Sequence, residues 1–231
     1  MFQSILTAIL LFLFQPSFAQ QTTVVTPDGA RLPARLRDAG PGSPGVVFFP
    51  MCSPNSQDGW APVADGLLRS GVSSVIVSHR SMTPNAGGTA TGDQRFADAD
   101  AAVAFLRSRI GPDAPLAVAG SSCGVSIALR TSEAHSTHVR AVVVLSGPHL
   151  ASQIEFVRKA PGLAVFSGAS LQEPPSPDWA RELHAASKHP ASRVRLLEPR
   201  AHGTDLLRVE PTLAVEISEW LVDQLRLINA T

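Results

Sequence analysis

Residues Ala119-Gly120-Ser121-Ser122-Cys123-Gly124 decide how this chain is read. An apolar run, Pro115-Leu116-Ala117-Val118-Ala119, leads into them, and Val125-Ser126-Ile127-Ala128-Leu129 leads away with helical character. The pattern predicts a strand that enters a sharp turn at Ser122 and leaves as a helix. Gly120 and Gly124 bracket the serine where strand and helix backbones pass too close for a Cβ. Such a turn holds the serine in strained geometry with its Oγ exposed. G-x-S-x-G alone is a weak pattern, with three fixed residues in five. Its weight comes from the flanking strand and helix, and from His202-Gly203 far downstream.

The totals bound what surrounds this turn. A chain of 231 residues suits one domain with a real core. Hydrophobic residues make up 44% and charged residues 16%, which argues against disorder. Lys+Arg and Asp+Glu are both 19, and no basic stripe or aromatic-basic interleaving occurs, so a nucleic-acid partner is excluded.

Residues 1–19 read as an export signal. Ile5 to Phe14 is apolar, Pro16 breaks it, and Ser17-Phe18-Ala19 forms a small-x-small cleavage site before Gln20. The apolar run is about half of the roughly 20 residues a membrane-spanning helix needs, which favours cleavage over anchoring. The leading Met1-Phe2-Gln3-Ser4 departs from the pattern, because it carries no Lys or Arg. No cysteine follows the cleavage site, which disfavours a lipoprotein. The expectation is a periplasmic or secreted mature chain, residues 20–231, without stable membrane insertion and in a disulfide-permissive compartment.

Within that segment, Thr22–Thr26 and Arg31–Leu36 flank Pro27-Asp28-Gly29 and predict an antiparallel hairpin. Asp38 to Gly45 is a Pro/Gly/Ser-rich connection. Beyond it, short apolar runs at 46–49, 72–77, 116–119, 139–145, 163–166 and 194–197 alternate with helical patterns. The helices are expected over 59–70, 93–109, 123–134, 178–188 and from Pro211 onward. This alternation predicts one α/β domain with a mostly parallel sheet and helices on both faces. Only 16 residues separate Ser146 from Leu163, which leaves little room for a lid. Asp98 and Asp100, two apart on a predicted helix, read as a solvated surface without a catalytic role.

A serine hydroxyl needs a base, an orienter for that base and donors for the oxyanion before it acts as a nucleophile. Among seven histidines, His202 stands five residues past the last predicted strand, just before the final helix, and is the candidate base. His79 and His149 follow strands and so lie near the active edge; for each a structural role is favoured over substrate contact. No zinc-type spacing of Cys and His is present, and the glycines at 87, 88 and 92 lack the Lys-Ser/Thr of a phosphate cradle. No metal or other cofactor is expected.

With these residues in place, the mature chain resembles the α/β-hydrolase-fold proteins from the hairpin to the last helix. The likeness is to compact, lidless forms such as dienelactone hydrolase-like proteins and small esterases. It implies Ser122 as nucleophile in a serine hydrolase cleaving an ester or related acyl bond of a small-molecule substrate. His202 satisfies the expected order of nucleophile, acid, histidine. The oxyanion loop of such proteins often starts His-Gly; here the segment is Phe48-Phe49-Pro50-Met51-Cys52-Ser53. By position, the N–H groups of Cys52 and Cys123 are the implied oxyanion donors. The acid is commonly three residues after a strand-ending glycine, which here is Leu171 after Gly168. The nearest carboxylates are Glu173, in the same loop, and Asp178, which reads better as a helix N-cap. A Ser–His dyad without an acid would retain part of its rate; the alternative reading is a non-catalytic binding protein of the same fold with a degenerate acid position. The resemblance also places Cys52 and Cys123, the only cysteines, side by side, as a disulfide or as two buried thiols.

Overall fold

The protein is described here by a computed structural model covering residues 19–53, 56–82 and 91–226. The expected export signal lies outside the described residues except for Ala19, and so does most of the Gly87-Gly88 loop.

The N-terminal hairpin forms as β1 (Gln20–Val25) and β2 (Arg31–Arg37), paired antiparallel. Six further strands follow: β3 (Gly45–Phe49), β4 (Ser73–Val77), β5 (Leu116–Ser121), β6 (Val139–Leu145), β7 (Ala164–Ser170) and β8 (Arg193–Leu197). Among the described residues they make one eight-stranded sheet in the order β1-β2-β4-β3-β5-β6-β7-β8. β2 joins β4 antiparallel, and every pairing from β4 to β8 is parallel.

The helices are α1 (Ala61–Arg69), α2 (Gly92–Ile110), α3 (Gly124–Ala134), α4 (Ala151–Lys159), α5 (Ser176–Ala186), α6 (Asp205–Val209) and α7 (Pro211–Arg226). Two separate cores explain the unbroken apolar runs of the strands. Val47, Val118 and Val142 pack with α2 to α5 through residues such as Leu106, Leu129, Val157 and Leu183. Their neighbours Phe48, Ala117 and Val143 pack on the opposite face, against Val63 and Leu67 of α1 and Ile217, Trp220 and Leu221 of α7. A strand residue on either face is therefore buried, so period-two alternation of polarity disappears. Tilted and edge-on aromatic pairs, Phe48–Trp60 at 5.1 Å and Phe166–Trp220 at 5.5 Å, help fix α1 and α7 to the sheet.

The connectivity reverses at β3, whose neighbours are β4 on one side and β5 on the other. In open parallel sheets such a reversal opens a crevice beyond the carboxyl ends of the strands. The chain after β3 carries Cys52, and the chain after β5 carries Ser122 and Cys123.

Three local expectations need correction. Helices α4 and α6 were not anticipated. Both are short, and α4 is anchored less by apolar periodicity than by Gln153, whose side chain accepts from the Leu150 N–H and donates to the Ser126 carbonyl at 2.8 Å. Asp98 is not on a solvated surface: it is buried against the Arg80 guanidinium, which also holds Asp28. That guanidinium keeps the Asp28 carboxyl well below the usual carboxylate range. Asp178 is not the N-cap of α5; Pro175 is, and Asp178 lies in the first turn with its carboxylate on Arg181 at 2.8 Å.

Candidate active site

The turn after β5 has the shape its glycines require. Ser122 has φ 53, a left-handed conformation that strains any residue with a Cβ. Its N–H donates to the Leu145 carbonyl at 2.9 Å, and its own carbonyl accepts from Val125 at 3.0 Å. A Cβ on Gly120 would lie 2.2 Å from the Gly124 carbonyl oxygen, and one on Gly124 would lie 2.2 Å from that of Phe49. Gly147, after β6, is equally constrained, because its Cβ would sit 2.2 Å from the Ser122 carbonyl oxygen. Three backbones are thus packed around one serine without room for a methyl group. Gly124→Ala is expected to destabilise the fold by about 3 kcal/mol, the upper end for overpacking, since backbone rather than a flexible side chain must move. Urea unfolding checks this; a loss under about 1 kcal/mol contradicts it.

The His202 loop reaches the same place from the far side of the sheet. Gly203 has φ 56, and a Cβ there would be 3.3 Å from Met51 Sδ and 3.5 Å from Ser121 Cβ. The residue after His202 therefore abuts both the residue before Ser122 and the residue before Cys52. The His202 Nδ1 lies in direct hydrogen-bonding contact with Glu173 Oε1.

Glu173 reaches the histidine because the chain after β7 is tied to the chain after β8. Leu171 donates its N–H to the Leu197 carbonyl at 2.8 Å, and Gln172 Nε2 donates to the Glu198 carbonyl at 2.6 Å. The Gln172 N–H is held by Ser170 Oγ at 3.0 Å, and the Ser176 N–H donates to the Glu173 carbonyl at 2.9 Å. Leu171 occupies the expected acid position with its side chain partly in solvent, and the carboxylate arrives two residues later. Asp178 faces solvent with 75% of its side chain exposed, and its carboxylate pairs with Arg181.

Cys52 and Cys123, 71 positions apart in sequence, form a disulfide with a Cα–Cα distance of 5.9 Å. The bond ties the loop after β3 to the turn that carries Ser122. Beside it lies His79, two residues past β4 and buried, with Nε2 3.7 Å from Cys123 Sγ. The Nε2–H donates to the Pro50 carbonyl. Burial pushes the His79 imidazole below its ordinary range and favours the neutral ring, against the opposing effect of that carbonyl. The sequence signals its position only weakly, as a histidine just beyond a strand that neighbours β3. Replacing both cysteines by serine is expected to cost about 4 kcal/mol, from the loop entropy restored to the unfolded chain. Equilibrium urea unfolding with and without the bond measures it, and a difference under about 1 kcal/mol overturns the expectation.

No protein-family model matches the chain, and no curated protein matches it by sequence. Solved structures do match it in shape. An esterase from Pyrococcus furiosus is 16% identical with a TM-score of 0.65, over 90% of this chain and 91% of that one. The esterase domain of a Rhodothermus marinus protein is 17% identical with a TM-score of 0.68, over 90% and 99%. Dienelactone hydrolase from Anabaena variabilis is 16% identical with a TM-score of 0.67, over 90% and 99%. At these identities the likeness is one of architecture, and it agrees with the mostly parallel eight-stranded sheet and its antiparallel N-terminal pair: the chain has the α/β-hydrolase fold.

Proposed function

We propose that the protein is an exported serine hydrolase that cleaves an ester or related acyl bond through an acyl-enzyme on Ser122. The observation that carries this reading is the Glu173–His202 pair, delivered by two separate loops to the edge where Ser122 stands in a strained turn. The same contact supports Glu173, rather than a residue at the Leu171 position, as the acid.

The chemistry follows from the roles these groups can fill. His202 Nε2 takes the proton of Ser122 Oγ as the oxygen attacks the carbonyl carbon, while Glu173 at Nδ1 holds the ring and stabilises the imidazolium. The negative charge that develops on the substrate oxygen is received by the N–H groups of Cys52 and Cys123. Cys123 is the N-cap of α3, where backbone donors exceed what the helix itself can use and the helix dipole favours an anion. Each such donor typically lowers the barrier by about 3 kcal/mol. Collapse of the tetrahedral adduct expels the alcohol, which leaves with the proton from His202. Water, deprotonated by the same histidine, then attacks the acyl carbon and releases the acid from Ser122.

The substrate is a small or exposed acyl compound rather than an aggregated lipid. Among the described residues, α4, nine residues long, is the one helix between β6 and β7, so no large cap is inserted between these two strands. Leu150 and Leu171, 59% and 36% exposed, follow β6 and β7 and offer apolar contact there. The names of the similar structures, esterases and a dienelactone hydrolase, support the same reaction class. Export is supported by the reading of residues 1–19 and by the disulfide, which fits an oxidising compartment.

A fluorophosphonate probe tests the proposal directly. Peptide mapping is expected to find the label on Ser122 alone, with one label per chain. Folded protein that takes up no label, or takes it elsewhere, overturns the assignment.

A further inference from the structure

Three side chains beside the active edge converge without a part in the proposed reaction. The ligand atoms of Cys52, His79 and Cys123 all lie within 4.8 Å of one another. They come from three different loops, after β3, β4 and β5, at the reversal point of the sheet. We propose that the dithiol form of this cluster is a binding site for a thiophilic d10 cation of the Zn2+ kind, held by the two sulfurs and His79 Nε2.

The geometry is close to what such an ion requires. With Zn–S near about 2.3 Å and Zn–N near about 2.05 Å, a tetrahedral centre sets its sulfur and nitrogen ligands about 3.6 Å apart. His79 Nε2 and Cys123 Sγ are already 3.7 Å apart. Once the bond between them is absent, the two sulfurs need to separate only to about 3.8 Å, the span of two thiolates on one zinc ion. Two sulfurs and one imidazole form a donor set suited to zinc, with a fourth position left for water.

The chemistry balances without a redox step. The dithiol and one divalent cation give a bis-thiolate complex and release two protons. The imidazole gives up the Nε2–H that it donates to Pro50, carries its proton on Nδ1 instead, and turns the Nε2 lone pair to the metal. A freshly made chain has both thiols before the disulfide closes, so metal and disulfide are competing fates of one pair of sulfurs. This inference does not depend on the role proposed for Ser122.

The test uses the full mature chain, reduced with a phosphine under argon and titrated with Co2+ as a spectroscopic stand-in, then with Zn2+. One equivalent of Co2+ is expected to produce thiolate-to-cobalt charge-transfer absorption with the strong visible bands of a tetrahedral site, and Zn2+ is expected to bleach it stoichiometrically. Oxidised protein should show no such band. His79→Ala is expected to weaken binding at least about tenfold, and Cys52→Ser or Cys123→Ser to abolish the charge-transfer band. The inference is overturned by reduced protein with native circular dichroism and no charge-transfer band. Equal affinity in His79→Ala would also overturn it, as would a reduced chain that has lost its fold.

Discussion

Ser122→Ala is expected to lower ester turnover by about a millionfold, roughly 8 kcal/mol of transition-state stabilisation. The size follows from what the oxygen does: without it no acyl-enzyme forms, and only substrate binding and the oxyanion donors remain to assist water. The fold should survive the change. Alanine and serine both carry a Cβ, so the strain of φ 53 is common to both, and the three glycine contacts around the turn are untouched. The measurement is kcat/KM on short-chain nitrophenyl esters, beside a thermal melt for each protein. Turnover retained within about tenfold would remove Ser122 from the reaction.

Glu173→Gln is expected to reduce kcat by about 10³- to 10⁴-fold with little change in KM. A neutral amide keeps the shape of the carboxylate but cannot stabilise the imidazolium, and it can impose the wrong tautomer on His202. Asp178→Asn is the matched control. Its carboxylate pairs with Arg181 on an exposed helix surface, where such pairs contribute little, so both rate and stability should stay within about twofold and 1 kcal/mol. Equal losses in the two variants would mean that the Glu173–His202 contact has no part in the rate.

How much of this was legible in the sequence varies with the kind of signal involved. The parallel sheet was legible because burial on both faces leaves continuous apolar runs, and those runs fall close to β3 through β8. The turn at Ser122 was legible because glycine there is a steric demand written directly into the chain. The acid was not. Whether Glu173 or Asp178 faces His202 depends on hydrogen bonds from Leu171 and Gln172 to the end of β8, between segments about 26 residues apart. Asp98 was misread for a related reason: its partner Arg80 is on another element, and local helical spacing cannot announce a buried ion pair. Helix α4 escaped notice because polar bonds made by Gln153, rather than a long apolar stripe, hold its start.

The register between β3 and β5 gives the disulfide a second meaning. Phe49 stands opposite Gly120 in that ladder, and Cys52 and Cys123 each lie three residues further along. A slip of one residue would shift one cysteine by about 3.3 Å along the strand axis and turn its strand's side chains to the opposite face. The bond is thus a covalent signature of correct alignment at the point where the two halves of the sheet meet. Closure of the bond on oxidation therefore reports that the two strands have met in register.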